Sequence, residues 1–232
     1  MMRSILIILI CVFFSCNKKT VAPTVSIPPP STPAKSYLAL GDSYTIGQSV
    51  AQNERFPAQT VSLLKQQGIN MKDPVYIAQT GWTTANLQSA ITNQNPPSTF
   101  DAVSLLIGVN DQYQGMDTSG YALRFTQLLE KVIQLAGGKK SNVFVLSIPD
   151  YSATPFVATA NKSKVTMEID WFNAINKRIT TSFNVSYTDI TPSTREAATN
   201  AALVANDNLH PSGLEYKKWA EMLAPKMITV LK

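Results

Sequence analysis

Tyr37-Leu38-Ala39-Leu40-Gly41-Asp42-Ser43-Tyr44 is the stretch on which the fold turns. Four residues of mostly apolar character end at a glycine, as a short buried strand does. Gly41 permits tight backbone geometry at that point. A serine on a sharp strand-to-helix turn then holds its hydroxyl above the sheet. Gly, Asp and Ser are also ordinary turn formers, so the tetrapeptide by itself fits a plain turn equally well.

The same alternation continues outward along the 232 residues. Residues 55–67 have helical period and close on Gly68. Residues 75–78 form a second apolar run, and 85–92 a short helix. A third run, 102–107, ends at Gly108. The long helix expected over 121–136 stops at Gly137-Gly138. A fourth run, 143–148, ends at Pro149. A second long helix spans 163–183, a weaker fifth strand 185–189, and a closing helix 213–230. Apolar strands alternating with helices predict a parallel sheet covered on both faces. Functional residues in such sheets gather at the carboxyl ends of the strands. No internal repeat or domain break interrupts the pattern.

Composition narrows the chemistry. The formal charge is +5, with the basic residues scattered in short pairs such as Lys139-Lys140 and Lys217-Lys218. That is a solvated surface and not the basic stripe of a nucleic-acid binder. The one histidine, His210, excludes a His-rich metal site. Any imidazole base catalysis must use it. The two cysteines, Cys11 and Cys16, both lie near the amino terminus, so the main body has no disulfide and no thiol nucleophile.

Three further segments can serve a serine nucleophile. The second strand ends in Gln79-Thr80-Gly81-Trp82, the third in Gly108-Val109-Asn110-Asp111. The Gly81 N–H and the Asn110 amide are donors of the kind that stabilise the oxyanion of acyl transfer. Each also reads as loop punctuation. Asp207 stands three residues before His210, a spacing that lets a carboxylate hold the imidazole Nδ1 while Nε2 faces a serine. In isolation, Asp207 and Asn208 are equally turn residues.

In their order along the chain, GDSY at Ser43, QTGW at Gly81, GVND at Asn110 and DNLHPS at His210 resemble the blocks of the GDSL, or SGNH, hydrolase family. The resemblance spans about residues 36–230, with Tyr44 standing where the family name has Leu. It implies an α/β fold, a three-layer αβα sandwich with a flavodoxin-like parallel sheet of about five strands. It implies a serine esterase or acylhydrolase with Ser43, Asp207 and His210 catalytic. Ser43, Gly81 and Asn110 would form the oxyanion hole. No cofactor or metal is required. The substrate is an ester of a small molecule or a polysaccharide: a lipid or acyl ester, or an O-acetyl group. A rival from another class is a surface lipoprotein that binds glycan or lipid without turnover, although binding alone needs no base.

Other groups have lesser expected roles. Asp42 reads as a turn residue under Ser43, and Asp111 as a brace for the Asn110 loop. Asp150, after the fourth strand, stands where it can meet substrate. Trp82, Tyr113, Tyr151, Phe156 and Trp171 are candidates for lining a pocket, with core packing the alternative for each.

The first 15 residues read as a signal peptide: Arg3, then an apolar run from 5 to 14 too short to span a bilayer. The run ends in Phe13-Phe14-Ser15-Cys16, which resembles a bacterial lipobox with Phe13 in place of the usual Leu. Cys16 would then be lipidated. Residues 16–35, with five prolines among polar residues, read as an extended tether, leaving a hydrolase domain over 36–232. The expectation is an exported protein held at a membrane by its lipid, in the periplasm or at the cell surface, with no obligate protein partner.

Overall fold

The computed structural model describes residues 33–232. The expected signal peptide, the lipidation site Cys16 and nearly all of the tether lie outside the described residues. The chain is tied into the fold from Lys35. The Lys35 N–H donates to the Asn70 carbonyl at 2.8 Å, and its own carbonyl accepts from Lys72 at 2.9 Å.

Five strands form one parallel sheet: β1 (Tyr37–Gly41), β2 (Val75–Ala78), β3 (Ala102–Leu106), β4 (Val143–Leu146) and β5 (Ser186–Thr188). Their order is β2-β1-β3-β4-β5. β1, β3 and β4 are buried at every position, which is why they read as unbroken apolar runs. The edge strands β2 and β5 are weaker in sequence because they are partly solvated.

The helices are α1 (Ser43–Ile46), α2 (Phe56–Gln66), α3 (Thr84–Gln94), α4 (Val109–Tyr113), α5 (Thr118–Leu135), α6 (Lys162–Ser182), α7 (Thr191–Arg195) and α8 (Gly213–Leu231). From β1 the chain winds outward to β2, then crosses back to β3 and continues the other way. Right-handed crossovers therefore put α2 on one face and α3, α5 and α6 on the other. The packing agrees: α2 lies against α8, and α5 against both α3 and α6. The expected α/β fold with a five-strand parallel sheet is what the structure shows.

Two features of this sheet place the site. The strand order reverses between β1 and β3, the switch point where a crevice opens in such folds. The register also levels three strand ends, since Gly41 pairs with Ala78 of β2 and with Leu106 of β3. The loops carrying Ser43, Gly81 and Asn110 thus leave the sheet side by side. The turn after β1 is close-packed. A Cβ on Gly41 would lie 2.4 Å from the Leu106 carbonyl oxygen and 2.1 Å from Thr45 Oγ1.

Candidate active site

Ser43 is the first residue of α1, and Asp42 caps that helix by accepting from the Tyr44 N–H at 3.0 Å. Asp42 is fully buried. Burial pushes its carboxyl up to about 8, the negative charge of Asp111 adds to this, and the Tyr44 N–H opposes it. Near neutral pH Asp42 is thus largely a neutral acid.

Asn110 belongs to α4, which starts from Gly108 at a φ of 129°. A side chain at Gly108 would strike the Tyr121 ring and Ile148. The Asn110 Nδ2 donates to the Trp82 carbonyl at 3.0 Å and makes a long contact of 3.5 Å with Asp42 Oδ2. It therefore joins the loops after β1, β2 and β3. Asp111 lies below, accepting from the Thr84 N–H at 2.8 Å, the Thr84 hydroxyl at 2.6 Å and Arg124 at 3.2 Å. These bonds fasten the Asn110 loop to the start of α3. Gly81 sits in a left-handed turn at a φ of 82°, with open space where a side chain would point.

His210 and Asp207 come from the loop before α8. An antiparallel bridge, Val204 with Pro211, closes that loop, and Asn208 turns it at a φ of 62°. His210 Nδ1 lies 2.6 Å from Asp207 Oδ2. Asp207 Oδ1 accepts the backbone N–H groups of Leu209 and His210 at 3.0 and 2.9 Å, and the Ser49 hydroxyl donates to Oδ2 at 2.6 Å. Partial burial works the other way, yet the bond from Ser49, then those from His210 and Leu209, hold this carboxyl well below the usual carboxylate range. An ionised Asp207 selects the imidazole tautomer with its proton on Nδ1, leaving the Nε2 lone pair free to accept a proton. The Tyr44 ring packs on the imidazole with centroids 5.0 Å apart.

Ser43, Gly81, Asn110 and His210 all line one cleft of about 240 Å³. Among the described residues no hydrogen bond joins the Ser43 hydroxyl to His210, although both line the same cleft. The remaining walls are mainly apolar: Tyr44, Val109, Tyr113, Tyr151, Phe156 and Leu209. Tyr113, Tyr151 and Phe156 form a triangle with ring centroids 6.2 to 6.4 Å apart. Tyr151 is fixed by donating to Gln112 at 2.8 Å. Tyr113 and Phe156 stay 61% and 48% exposed. A larger open groove of about 950 Å³ runs along α2 past Arg55 and Tyr76, but it holds none of these groups.

The structure brings together Ser43, Gly81, Asn110, Asp207 and His210, which stand up to 167 positions apart in sequence. Asp150 departs from its expected role. It is buried, caps a short turn through the Ser152 N–H at 3.0 Å, and pairs with Arg195 at 2.9 Å. Both of its carboxylate oxygens are thereby committed to protein partners. Trp171 is exposed on α6 and is not part of the cleft, and Trp82 packs partly buried against the core. Nothing in the local sequence marks Ser49, which lies 158 positions from Asp207 in a stretch without a pattern.

A levelled switch-point crevice with a serine at its first strand end is where an α/β fold of this class carries its site. Residues 39–218 match the model of the GDSL-like Lipase/Acylhydrolase family, and the chain belongs to that family. Among solved structures it is similar to TesA, with a TM-score of 0.65 at 16% identity, covering 85% of this chain and 100% of that one. It is similar to the lipase Lip_vut3 from a goat rumen metagenome, with a TM-score of 0.66 at 19% identity, covering 83% of this chain and 97% of that one. It is also similar to an acetylxylan esterase, Axe2, from Geobacillus stearothermophilus, with a TM-score of 0.63 at 20% identity, covering 83% of this chain and 94% of that one. No curated protein matches.

Proposed function

We propose that this enzyme cleaves carboxylic esters by a Ser43–His210–Asp207 triad, and that the acyl or alcohol part it accepts is apolar. The observation that carries the triad is the 2.6 Å contact of His210 Nδ1 with an ionised Asp207, on the wall of the cleft that Ser43 also lines. Ser43 Oγ attacks the carbonyl carbon and passes its proton to His210 Nε2. The oxyanion takes the N–H groups of Ser43 and Gly81 and the Asn110 amide, displacing the long Asn110 contact to Asp42. His210 returns the proton to the leaving alkoxide. Water then attacks the acyl-serine, gives its proton to His210, and releases the acid with Ser43 restored.

The apolar lining supports an acyl chain or other apolar group against Tyr44, Val109 and Leu209. A second reading, an O-acetyl group on a sugar, draws on the exposed rings of Tyr113 and Phe156, which offer stacking faces at the mouth. p-Nitrophenyl esters of rising chain length, run beside acetylated xylan, separate the two. Activity that persists beyond acetyl favours the first, and activity confined to acetyl favours the second. The triad itself is tested with a serine-directed fluorophosphonate. Wild type should label, and Ser43→Ala should neither label nor retain more than about one part in 10³ of kcat. Full activity in Ser43→Ala sinks the reading.

We further propose export with a lipid on Cys16, on the strength of the apolar run and the Ser15-Cys16 junction. Mass spectrometry of the mature protein should find a diacylglyceryl group on Cys16. A mature terminus elsewhere, unmodified, overturns this.

A further inference from the structure

Of the four hydrogen bonds that Asp207 accepts, three come from its own loop: the Leu209 N–H, the His210 N–H and His210 Nδ1. The fourth, from the Ser49 hydroxyl, is the only one of them that crosses to another segment, and it goes to the same Oδ2 that holds the imidazole. Ser49 lies six positions after Ser43. The turn between them is wound tightly, with the Gln48 N–H donating to the Ser43 carbonyl at 3.0 Å and the Val50 N–H to the Gly47 carbonyl at 3.3 Å. In the same turn Gln48 Oε1 accepts the Thr80 hydroxyl at 2.8 Å, next to Gly81.

The backbone at Ser49 is in the left-handed region, at a φ of 67°. A serine resists that conformation and glycine does not. Non-glycine residues kept there are held by surrounding structure and cluster at functional sites. Here the serine supplies a hydroxyl that glycine lacks.

We propose that Ser49 is a positioning residue for the catalytic reaction, holding the Asp207–His210 pair in register with Ser43. It touches neither substrate nor the reacting atoms. Its hydroxyl fixes which way Asp207 Oδ2 faces, and so the angle at which the imidazole meets the nucleophile. The proposal rests on the reading of Asp207 and His210 as acid and base.

Three variants test it: Ser49→Ala, Ser49→Gly and Ser49→Asn. Removing the hydroxyl should lower kcat about tenfold with KM within about twofold, the lower end of what outer hydrogen-bond partners of functional histidines supply. Ser49→Gly separates positioning from folding. Glycine suits the left-handed turn, so this variant should unfold at no lower denaturant concentration than Ser49→Ala while losing as much kcat. Asparagine tolerates the same turn and carries a donor, so Ser49→Asn should recover at least about a third of wild-type kcat.

The second readout needs no turnover. Because His210 is the one histidine, the hydrogen-bonded Nδ1 proton gives a single downfield imidazole resonance in the nuclear magnetic resonance spectrum. It should move upfield, or vanish through faster exchange with water, in Ser49→Ala and Ser49→Gly, and remain in Ser49→Asn. Wild-type kcat and an unmoved resonance in Ser49→Gly overturn the proposal. So does a kcat loss that merely follows the loss of folded protein. If wild type hydrolyses no ester, the catalytic reading fails by itself, and the resonance still decides whether Ser49 orders the His210–Asp207 pair.

Discussion

Asp42 caps α1 beneath Ser43 and touches the Asn110 amide, so its protonation bears on both the fold and the proposed oxyanion site. In the folded protein burial keeps its proton to about pH 8, whereas the unfolded chain releases it near 3.8. Between those values the folded state binds more protons, so each rise in pH favours unfolding. The slope from this group is at most about 1.4 kcal/mol per pH unit. Asp207 has the opposite sign: its contribution is present above its ordinary value of 3.8 and is lost as pH falls through its lowered folded value. Wild type should therefore lose stability from about pH 5 to 8 by way of Asp42. Asp42→Asn, which keeps an acceptor for the Tyr44 N–H, should flatten that decline. Chemical denaturation across pH measures it; parallel curves for the two proteins would contradict the assignment. Ionised Asp42 would also hold the Asn110 amide more strongly and oppose an oxyanion beside it. The same substitution should thus extend kcat/KM on the alkaline side.

At the scale of elements, the sheet depends on side chains that finish strands where the backbone cannot. Asn173 of α6 accepts the Ile148 N–H at 2.7 Å and donates to the Ile148 carbonyl at 3.0 Å. It stands in for a neighbouring strand just past β4, and also reaches Thr191 Oγ1 at 2.9 Å. Asn173→Ala would leave the Ile148 N–H of a fully buried residue without its partner, while the Ile148 carbonyl keeps the Thr191 hydroxyl at 2.8 Å, a loss of about 1–3 kcal/mol. A lower urea midpoint at unchanged slope is the expected result, with kcat within about twofold because no site residue touches Asn173. A midpoint at the wild-type value would show that water replaces the amide. Ser147 does similar work, accepting the N–H groups of Ile190 and Thr191 at 2.8 and 3.0 Å and so starting α7.

These connections mark the limit of what could be read from sequence. The five strands and the helices α2, α3, α5, α6 and α8 were legible because apolar period and terminal glycines agree over many residues. The boundaries shifted by only a few positions. α1, α4 and α7 were not foreseen. Each is four or five residues long, too short to show a period, and is set by local caps or by contacts such as Ser147 with Thr191. The candidate site divides the same way. Ser43, Gly81, Asn110, Asp207 and His210 were visible through block order and strand ends. Ser49 and the stacking of Tyr44 on His210 depend on tertiary approach alone. For Asp150 the strand-end position was legible, but its partner Arg195, 45 residues on, was not.

At the scale of the whole molecule, the cleft draws on the first strand, the middle of the chain and the loop before the last helix. No local piece contains it. α8 packs on α2, and the loop before α8 sets His210 against Tyr44. A chain starting at residue 33 keeps every one of these contacts. It should match the full chain in kcat and KM on a soluble ester; a loss beyond about threefold would show that the preceding residues reach the site.

The tie of Lys35 to Asn70 and Lys72 lies at the amino end of β1, and Ser43 follows its carboxyl end. Five residues of extended chain, roughly 17 Å, therefore separate the point of entry from the point of chemistry. A rigid buried strand between the two works like the shank of a tool. The handle end can be lengthened, shortened or fastened to something else, and the working edge at the far end keeps its shape.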